Sequence, residues 1–269
     1  DFPNHPFKVI VDADMQEMAK SIAEYGVLVP VLVRPKEDGK YEMISGHRRK
    51  KASELAQKES IPCIIRELTD DEATIIMVDS NMQREHILPS ERAFAYKLKM
   101  DALNHQGKRN DLTSCQDGSK LSTAQIIGKE LGDSERQVFR YVRLTELIPK
   151  ILEMVDDEVI AMGPAVEISY LTKEEQKMLL SCMRYFDCTP SLSQAIDLKE
   201  LSKANELTKD KMNSLMEHEK PNQVEKYKFS VDRLRNLLPR NLDEQGREDY
   251  VVKAVQFYNN YQRKKQMER

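Results

Sequence analysis

The chain contains no tryptophan, only 9 glycines in 269 residues, and no apolar run approaching the roughly 18 residues that a membrane-spanning helix needs. No charged and then apolar leader is seen either, so neither a membrane partner nor a secretory signal is expected, and the reading places the protein in the cytoplasm. Cysteine is scarce: Cys63, Cys115, Cys182 and Cys188 form no CxxC pair and are read as free thiols of a reducing compartment. The histidines His5, His47, His86, His105 and His218 are scattered, which argues against a structural zinc site. A formal net charge of -3 gives no global nucleic-acid signature, so any basic surface must be local. The chain begins at Asp1 rather than methionine, and its natural start is expected upstream.

What is present is charge, 32% of residues, beside 40% hydrophobic residues, a mixture that suits a mostly helical soluble protein. The length suits two or three domains. Asp12 to Tyr25 places Met15, Met18, Ile22 and Tyr25 at helical spacing, with Asp14 as the N-cap and Gly26 as the stop. Val27 to Arg34 and Lys40 to Ser45 read as a hairpin with Asp38-Gly39 at its tip, and Pro30 marks an edge or a bulge.

Gly46 then ends the second strand, and Arg48 to Gln57 reads as a helix with Ala52, Leu55 and Ala56 inward. A glycine at a strand-to-helix turn lets a ligand approach the backbone, and free N–H groups beside Arg48 and Arg49 suit phosphate. A solvated basic turn has the same pattern. Ile61 to Arg66 reads as a short strand, and Thr69 to Glu72 as a capping box opening a helix. That helix buries Ala73, Ile76 and Met77 and presents Ser80, Asn81, Gln83 and Arg84 at its end. Pro89 forces a break, and Ser90 opens a helix carrying Phe94, Leu98 and Ala102 on one face to about His105.

Residues 107–119 form a polar connection. Leu121 to Leu144 has the shape of a helix-turn-helix, with Gly128 where two helices cross closely, Gly132 in the turn, and Ile127, Leu131, Val138 and Val142 as its core. In that geometry the second helix enters the major groove, and Thr123, Ser134, Glu135, Arg136, Gln137 and Arg140 are candidate DNA contacts. Arg136 and Gln137 suit base edges because they can bond bidentately, while Lys120 and Arg143 suit phosphates. A helical hairpin with a charged face is the competing reading.

Short amphipathic helices are expected at 151–155, 163–171, 173–185 and 191–202, bracing that pair. Glu217 to Lys226, with Pro221, reads as a linker. Beyond it lie Phe229, Leu234, Leu237 and Leu238, then a helix with Val251, Val255 and Tyr258 on one stripe, suited to self-association or to closing a local bundle. The last helix ends in Arg263, Lys264, Lys265 and Arg269, a DNA-touching or merely solvated terminus. Domains are therefore expected at 1–89, 90–216 and 217–269.

Three motifs carry a family resemblance: LVPVLVRP at 28–35, GHRRKKA at 46–52 and SNMQREHILPSERA at 80–93. In order and spacing they resemble the ParB family of chromosome and plasmid partition proteins, whose corresponding segments meet a nucleotide base, a phosphate turn of GERR type and an ENxQR-type box. The helix-turn-helix and the segments LIPKILEMV and AMGPAVEISYL also look like that family. The resemblance implies an α+β ParB/sulfiredoxin-like nucleotide-binding domain, an all-α helix-turn-helix domain and a small helical C-terminal unit. It implies a homodimeric clamp on double-stranded DNA, loaded at a palindromic site and gated by CTP with Mg²⁺, with a ParA-type ATPase as a further partner.

Carried over by position, Gly46, His47, Arg48 and Arg49 hold phosphates, Asn81, Gln83 and Arg84 contact the triphosphate and metal, and Val31 and Arg34 lie near the base. The family's Glu in the ENxQR box is Ser80 here, with Asp79 beside it, so a weak CTPase activity is more in question than binding. The Glu of the GERR turn is His47, and the Gln before the base-facing Pro is Val29. Two other classes compete: a transcriptional regulator that has lost the nucleotide cycle, and a nuclease, disfavoured because no carboxylates or histidines cluster in sequence.

Overall fold

A computed structural model describes residues 2–3, 5–84, 86–109 and 121–217, and in the tail residues 250–251, 253–254 and 257–258. Residues 1–218 make one compact unit and 219–269 a second. The linker, Phe229, Leu234, Leu237, Leu238, Val255 and the basic end at 263–269 all lie outside the described residues, as do Lys120 and most of the 107–119 connection.

The first unit opens with a strap in which Phe2 and Phe7 are buried, followed by α1 (Ala13–Tyr25). Its N-cap is Asp12 rather than Asp14: Asp12 has extended backbone and its side chain accepts from the Met15 N–H at 2.8 Å. Asp14 lies one residue inside, where its charge favours the helix dipole without capping. The hairpin forms as β1 (Val31–Pro35) and β2 (Tyr41–Ser45), antiparallel, with Gly39 at positive φ in the turn.

Pro30 does not mark an edge. The sheet order is β2-β1-β3, with β3 (Cys63–Ile65) parallel to β1, so β1 is central. Pro30 is tolerated because it precedes the strand and owes the ladder no N–H. The ladder irregularity falls two residues on, between Leu32 and Val33. Residues 27–30 are not strand at all.

Helix α2 (His47–Leu55) follows Gly46 and buries Ala52 against Met15 and Ile22 of α1; Ser53 is buried too and donates to the Arg49 carbonyl. Leu55, expected inward, is 45% exposed because α1 meets only the Ala52 side of this helix. Helix α3 (Asp70–Asn81) has the Thr69/Glu72 capping box and buries Ala73, Met77, Val78 and Asn81; Ile76 is half-buried. Helix α4 (Pro89–Arg109) starts on its proline and runs past His105. Its buried face is Ala93, Ala95, Tyr96, Lys99 and Ala102 rather than one led by Phe94, which is 40% exposed. The reason is that α4 packs on α3 along one side and on three later helices along the other.

Those are α5 (Thr123–Leu131), α6 (Glu135–Leu144) and α7 (Pro149–Asp156). Thus α4, which begins at the boundary expected at 89/90, packs against helices on both sides of it. Helices α5 and α6 are joined by a turn from Gly132, at φ 79°, to Ser134, the N-cap of α6. A Cβ on Gly128 would overlap the Asp133 carbonyl, so the two helices can meet this closely only at glycine. Helices α8 (Met162–Ile168), α9 (Lys173–Phe186), α10 (Leu192–Lys203) and α11 (Lys209–Glu217) complete the unit around Leu144, Ile151, Ile168, Leu179 and Leu198. Sequence periodicity left α11 unread, although it buries Met212 and Met216. Among the described residues no helix is long and apolar enough to cross a membrane, and Cys63, Cys182 and Cys188 are free thiols.

Candidate functional site

Two basic surfaces emerge, one at the start of α2 and one on α6. At the first, Gly46 has φ 107°, and a Cβ there would sit 2.6 Å from Val31 Cγ1. Glycine is thus required by a packing contact as well as by backbone conformation. No side chain caps the N-terminus of α2, so its first N–H groups have no side-chain acceptor. An anion there would complete them.

Around that helix end stand basic side chains drawn from three parts of the chain. The rings of His47, on α2, and His5, in the strap, are tilted at 53° with centroids 4.2 Å apart. Nε2 of each is buried and unpartnered. Burial pushes the His47 pKa down to about 4, aided by the charges of His5, Lys50 and Arg84. Burial lowers that of His5 too, against the hydrogen bond between its Nδ1 and the Phe7 carbonyl at 2.8 Å. Arg84 lies over the Phe7 ring, and burial lowers its pKa; Glu91 opposes the shift and Arg48 adds to it. Glu91 in turn accepts from the backbone N–H groups of Lys8 and Leu88, which ties the strap to the start of α4. Arg48 is 3.4 Å from Asp12.

The remaining residues singled out at this end have other work. Arg34 donates to Glu42 and to the Leu68 carbonyl and pairs with Asp70 at 2.7 Å, which holds β1 to β2 and to the start of α3. Arg49 donates to the carbonyls of Val29 and Pro30, both at 2.6 Å, and so fixes the loop before β1. Val31 is buried. Asn81 donates to the Met77 carbonyl within its own helix, whereas Gln83 is exposed. Asp79 is 2.5 Å from Lys99 Nζ, and Ser80 bonds the Met77 carbonyl. Asp79 is therefore held by a lysine. Among the described residues no three His, Cys, Asp or Glu side chains group as metal ligands.

The second surface is an open groove of about 760 Å³ along α6, where Lys97, Arg136, Arg140 and Arg143 stand with Glu135, Glu146 and Glu167, so its basic excess is one charge, and Lys97 pairs with Glu146 at 3.6 Å. Arg136 is exposed and has no hydrogen bond or ion pair among the described residues. Arg140 donates to Gln137 Oε1 at 3.2 Å. Ser134 caps α6 and Thr123 bonds Asn104, so both hydroxyls are engaged in the fold. Glu135 accepts from Ser122 and Gln125, which staples the start of α6 to the start of α5. Arg143 donates to the Ser169 hydroxyl and carbonyl and lies 4.1 Å from the centroid of the Tyr170 ring, so it anchors α6 to the end of α8.

The sequence had marked Arg48, His47 and Arg84 from motifs far apart, and the fold brings them together. It had passed over His5, Phe7, Lys97 and Tyr170. Nothing local signals His5, since its partner lies beyond α1 and the hairpin.

The ParB N-terminal domain family model matches residues 2–82. The chain is 32% identical over 174 residues to the chromosome-partitioning protein Spo0J of Thermus thermophilus, covering 65% of this chain and 58% of that protein. It is 35% identical over 175 residues to a probable chromosome 1-partitioning protein ParB of Deinococcus radiodurans, covering 65% and 53%. The chain thus spans little more than half the length of these relatives. Among solved structures, the C-terminally truncated chromosome-partitioning protein ParB of Caulobacter crescentus complexed to the centromeric parS site is 22% identical, with a TM-score of 0.42 over 80% of this chain and 92% of that one.

Proposed function

Because the chain belongs to the ParB family, its ParB N-terminal domain occupying residues 2–82, we propose that it is a site-specific DNA-binding partition protein whose N-terminal domain binds CTP and gates a DNA clamp. The observation that carries this reading is the set of His5, His47, Arg48 and Arg84 around the uncapped start of α2. Burial, and to a lesser degree neighbouring positive charge, lowers the pKa values of His5, His47 and Arg84, and a polyphosphate placed among them would favour their charged forms. A triphosphate needs several donors converging from different elements, and that is the arrangement here. Mg²⁺ keeps most of its waters and takes phosphate oxygens, so it asks for few protein ligands; Asn81 is the motif residue assigned to it. Gln83 reaches the triphosphate from the exposed end of α3.

At the second surface α6 lies in the major groove of a palindromic site, one copy per half-site of a homodimer. Arg136 reads a base edge, Arg140 and Gln137 act as a bonded pair beside it, and Lys97 and Lys120 meet phosphates. Arg143 positions α6 rather than touching DNA. Nucleotide binding then closes the N-terminal domains around DNA, and a ParA-type ATPase moves the complex. The stripe containing Val251 and Tyr258 serves self-association.

A second reading is favoured by Ser80 and by the engagement of Asp79 with Lys99: a helix-turn-helix regulator that has lost nucleotide turnover. The deciding experiment is equilibrium binding of the four ribonucleoside triphosphates with Mg²⁺ to wild type and Arg48→Ala. Selective CTP binding that Arg48→Ala abolishes supports the clamp. Binding of none of the four, with or without DNA, leaves the regulator.

A further inference from the structure

We propose that His5 and His47 form a paired imidazole clamp for a phosphate group of the nucleotide, and that each nucleotide bound brings a single proton onto Nε2 of His5. This rests on the nucleotide-binding reading above and adds to it a residue, a role and a linkage. The argument starts from two orphaned atoms. Buried polar atoms in folded proteins are nearly always hydrogen-bonded, yet Nε2 of both rings is buried without a partner. Two such atoms on rings 4.2 Å apart, beside an uncapped helix N-terminus, share one missing partner more economically than two.

The surroundings decide the sign of that partner. Arg84, from the segment after α3, acts on both rings; Lys50 of α2 acts on His47; and Arg48 of α2, 3.4 Å from Asp12, acts on Arg84. The acid felt by His5 is Glu91 of α4, already bonded to two backbone N–H groups. With Glu91 and Asp12 the acids on this side and both engaged, Arg84 and Arg48 favour an anion over a metal ion.

The tautomer decides the proton. Neutral His5 gives its one N–H to the Phe7 carbonyl through Nδ1, which leaves Nε2 an acceptor with nothing to offer an anion. It becomes a donor only when protonated. His47 has no such constraint and can present an Nε2–H while neutral. Binding therefore takes one proton from solvent to His5 Nε2, forming an N–H that donates to a phosphate oxygen, and release returns it.

The test is calorimetric titration of the full chain with Mg²⁺-saturated CTP at neutral pH, in buffers of different ionisation enthalpy. The dependence of heat on buffer counts protons. Wild type is expected to take up about one proton, and its affinity to strengthen by about tenfold per unit fall in pH across roughly pH 8 to 6.5. His5→Gln should bind more weakly, with no proton uptake of its own and a flat pH profile. CTP binding to wild type that is independent of pH, or proton uptake that survives in a folded His5→Gln, overturns the clamp while leaving nucleotide binding in place. If no ribonucleotide binds wild type at any pH, both readings fall. The wild-type pH profile stands even if the variant does not fold.

Discussion

Lys99 is the most deeply buried charge of the described residues, and it lends itself to a quantitative test. Its side chain is 1% exposed, yet Nζ lies 2.5 Å from Asp79 on α3 and 2.7 Å from Glu130 on α5. The two acids are 44% and 52% exposed. The triad is thus lopsided, with one buried cation between two half-solvated anions. Replacing Lys99 by Met keeps most of the packed stem and frees two carboxylates that can return to water, so stability should change by only about 1 kcal/mol. Replacing both acids, Asp79→Asn with Glu130→Gln, keeps the shapes but leaves an ammonium buried without a counter-charge. Breaking a buried pair in that sense costs about 3–5 kcal/mol, and retained amide acceptors should bring this to roughly 3. Urea unfolding followed by far-ultraviolet circular dichroism measures both, as a fall in midpoint at constant slope. If Lys99→Met proves the more destabilising of the two, the burial asymmetry does not control the energetics and the reasoning fails.

Gly128→Ala should cost about 1–3 kcal/mol, because the new Cβ meets the backbone carbonyl of Asp133, which has no rotamer to escape into; a thermal melt within error of wild type would refute it. Arg136→Ala should lose about 1–3 kcal/mol of affinity for the cognate site and far less for random DNA, with an unchanged Tm. Arg143→Ala should instead lower Tm, since charged hydrogen bonds such as those to Ser169 are worth about 1.5–3 kcal/mol each, and should weaken both kinds of DNA alike. For pH, His47 titrates at about 4 when folded against 6.5 when free, so the unfolded chain binds more protons between those values. Stability should accordingly be lost as pH falls from 6.5 towards 4, and His47→Gln should flatten that slope in urea titrations.

Local chemistry made much of this fold legible. The Thr69/Glu72 capping box, the Asp38-Gly39 turn and the Gly128/Gly132 pair each act within a few residues, and each is where the pattern put it, while Pro89, read as a break before a helix from Ser90, is that helix's first residue. The misplacements share one cause. Pro30, Leu55 and Phe94 were judged from their own segments, but whether a strand is central or a helix face is buried depends on which other element arrives there. The N-terminal strap carried no periodicity at all, and Phe2 and Phe7 are buried only because α3 and α4 provide a surface for them.

The candidate sites divide the same way. Sequence alone determined that basic side chains stand at the start of α2, at the end of α3 and along α6, because capping, turn and periodicity rules fix where helices begin and end. Which of those charges remain free depends on contacts between distant segments. Arg34, Arg49 and Arg143 look like ligand-binding arginines in the sequence, yet their guanidinium groups are taken up by Glu42 and Asp70, by the Val29 and Pro30 carbonyls, and by Ser169. Arg136 stays exposed, and His5 meets His47 across the fold. A side chain's chemistry is written in its residue, but its availability is set by the partners that long-range packing supplies.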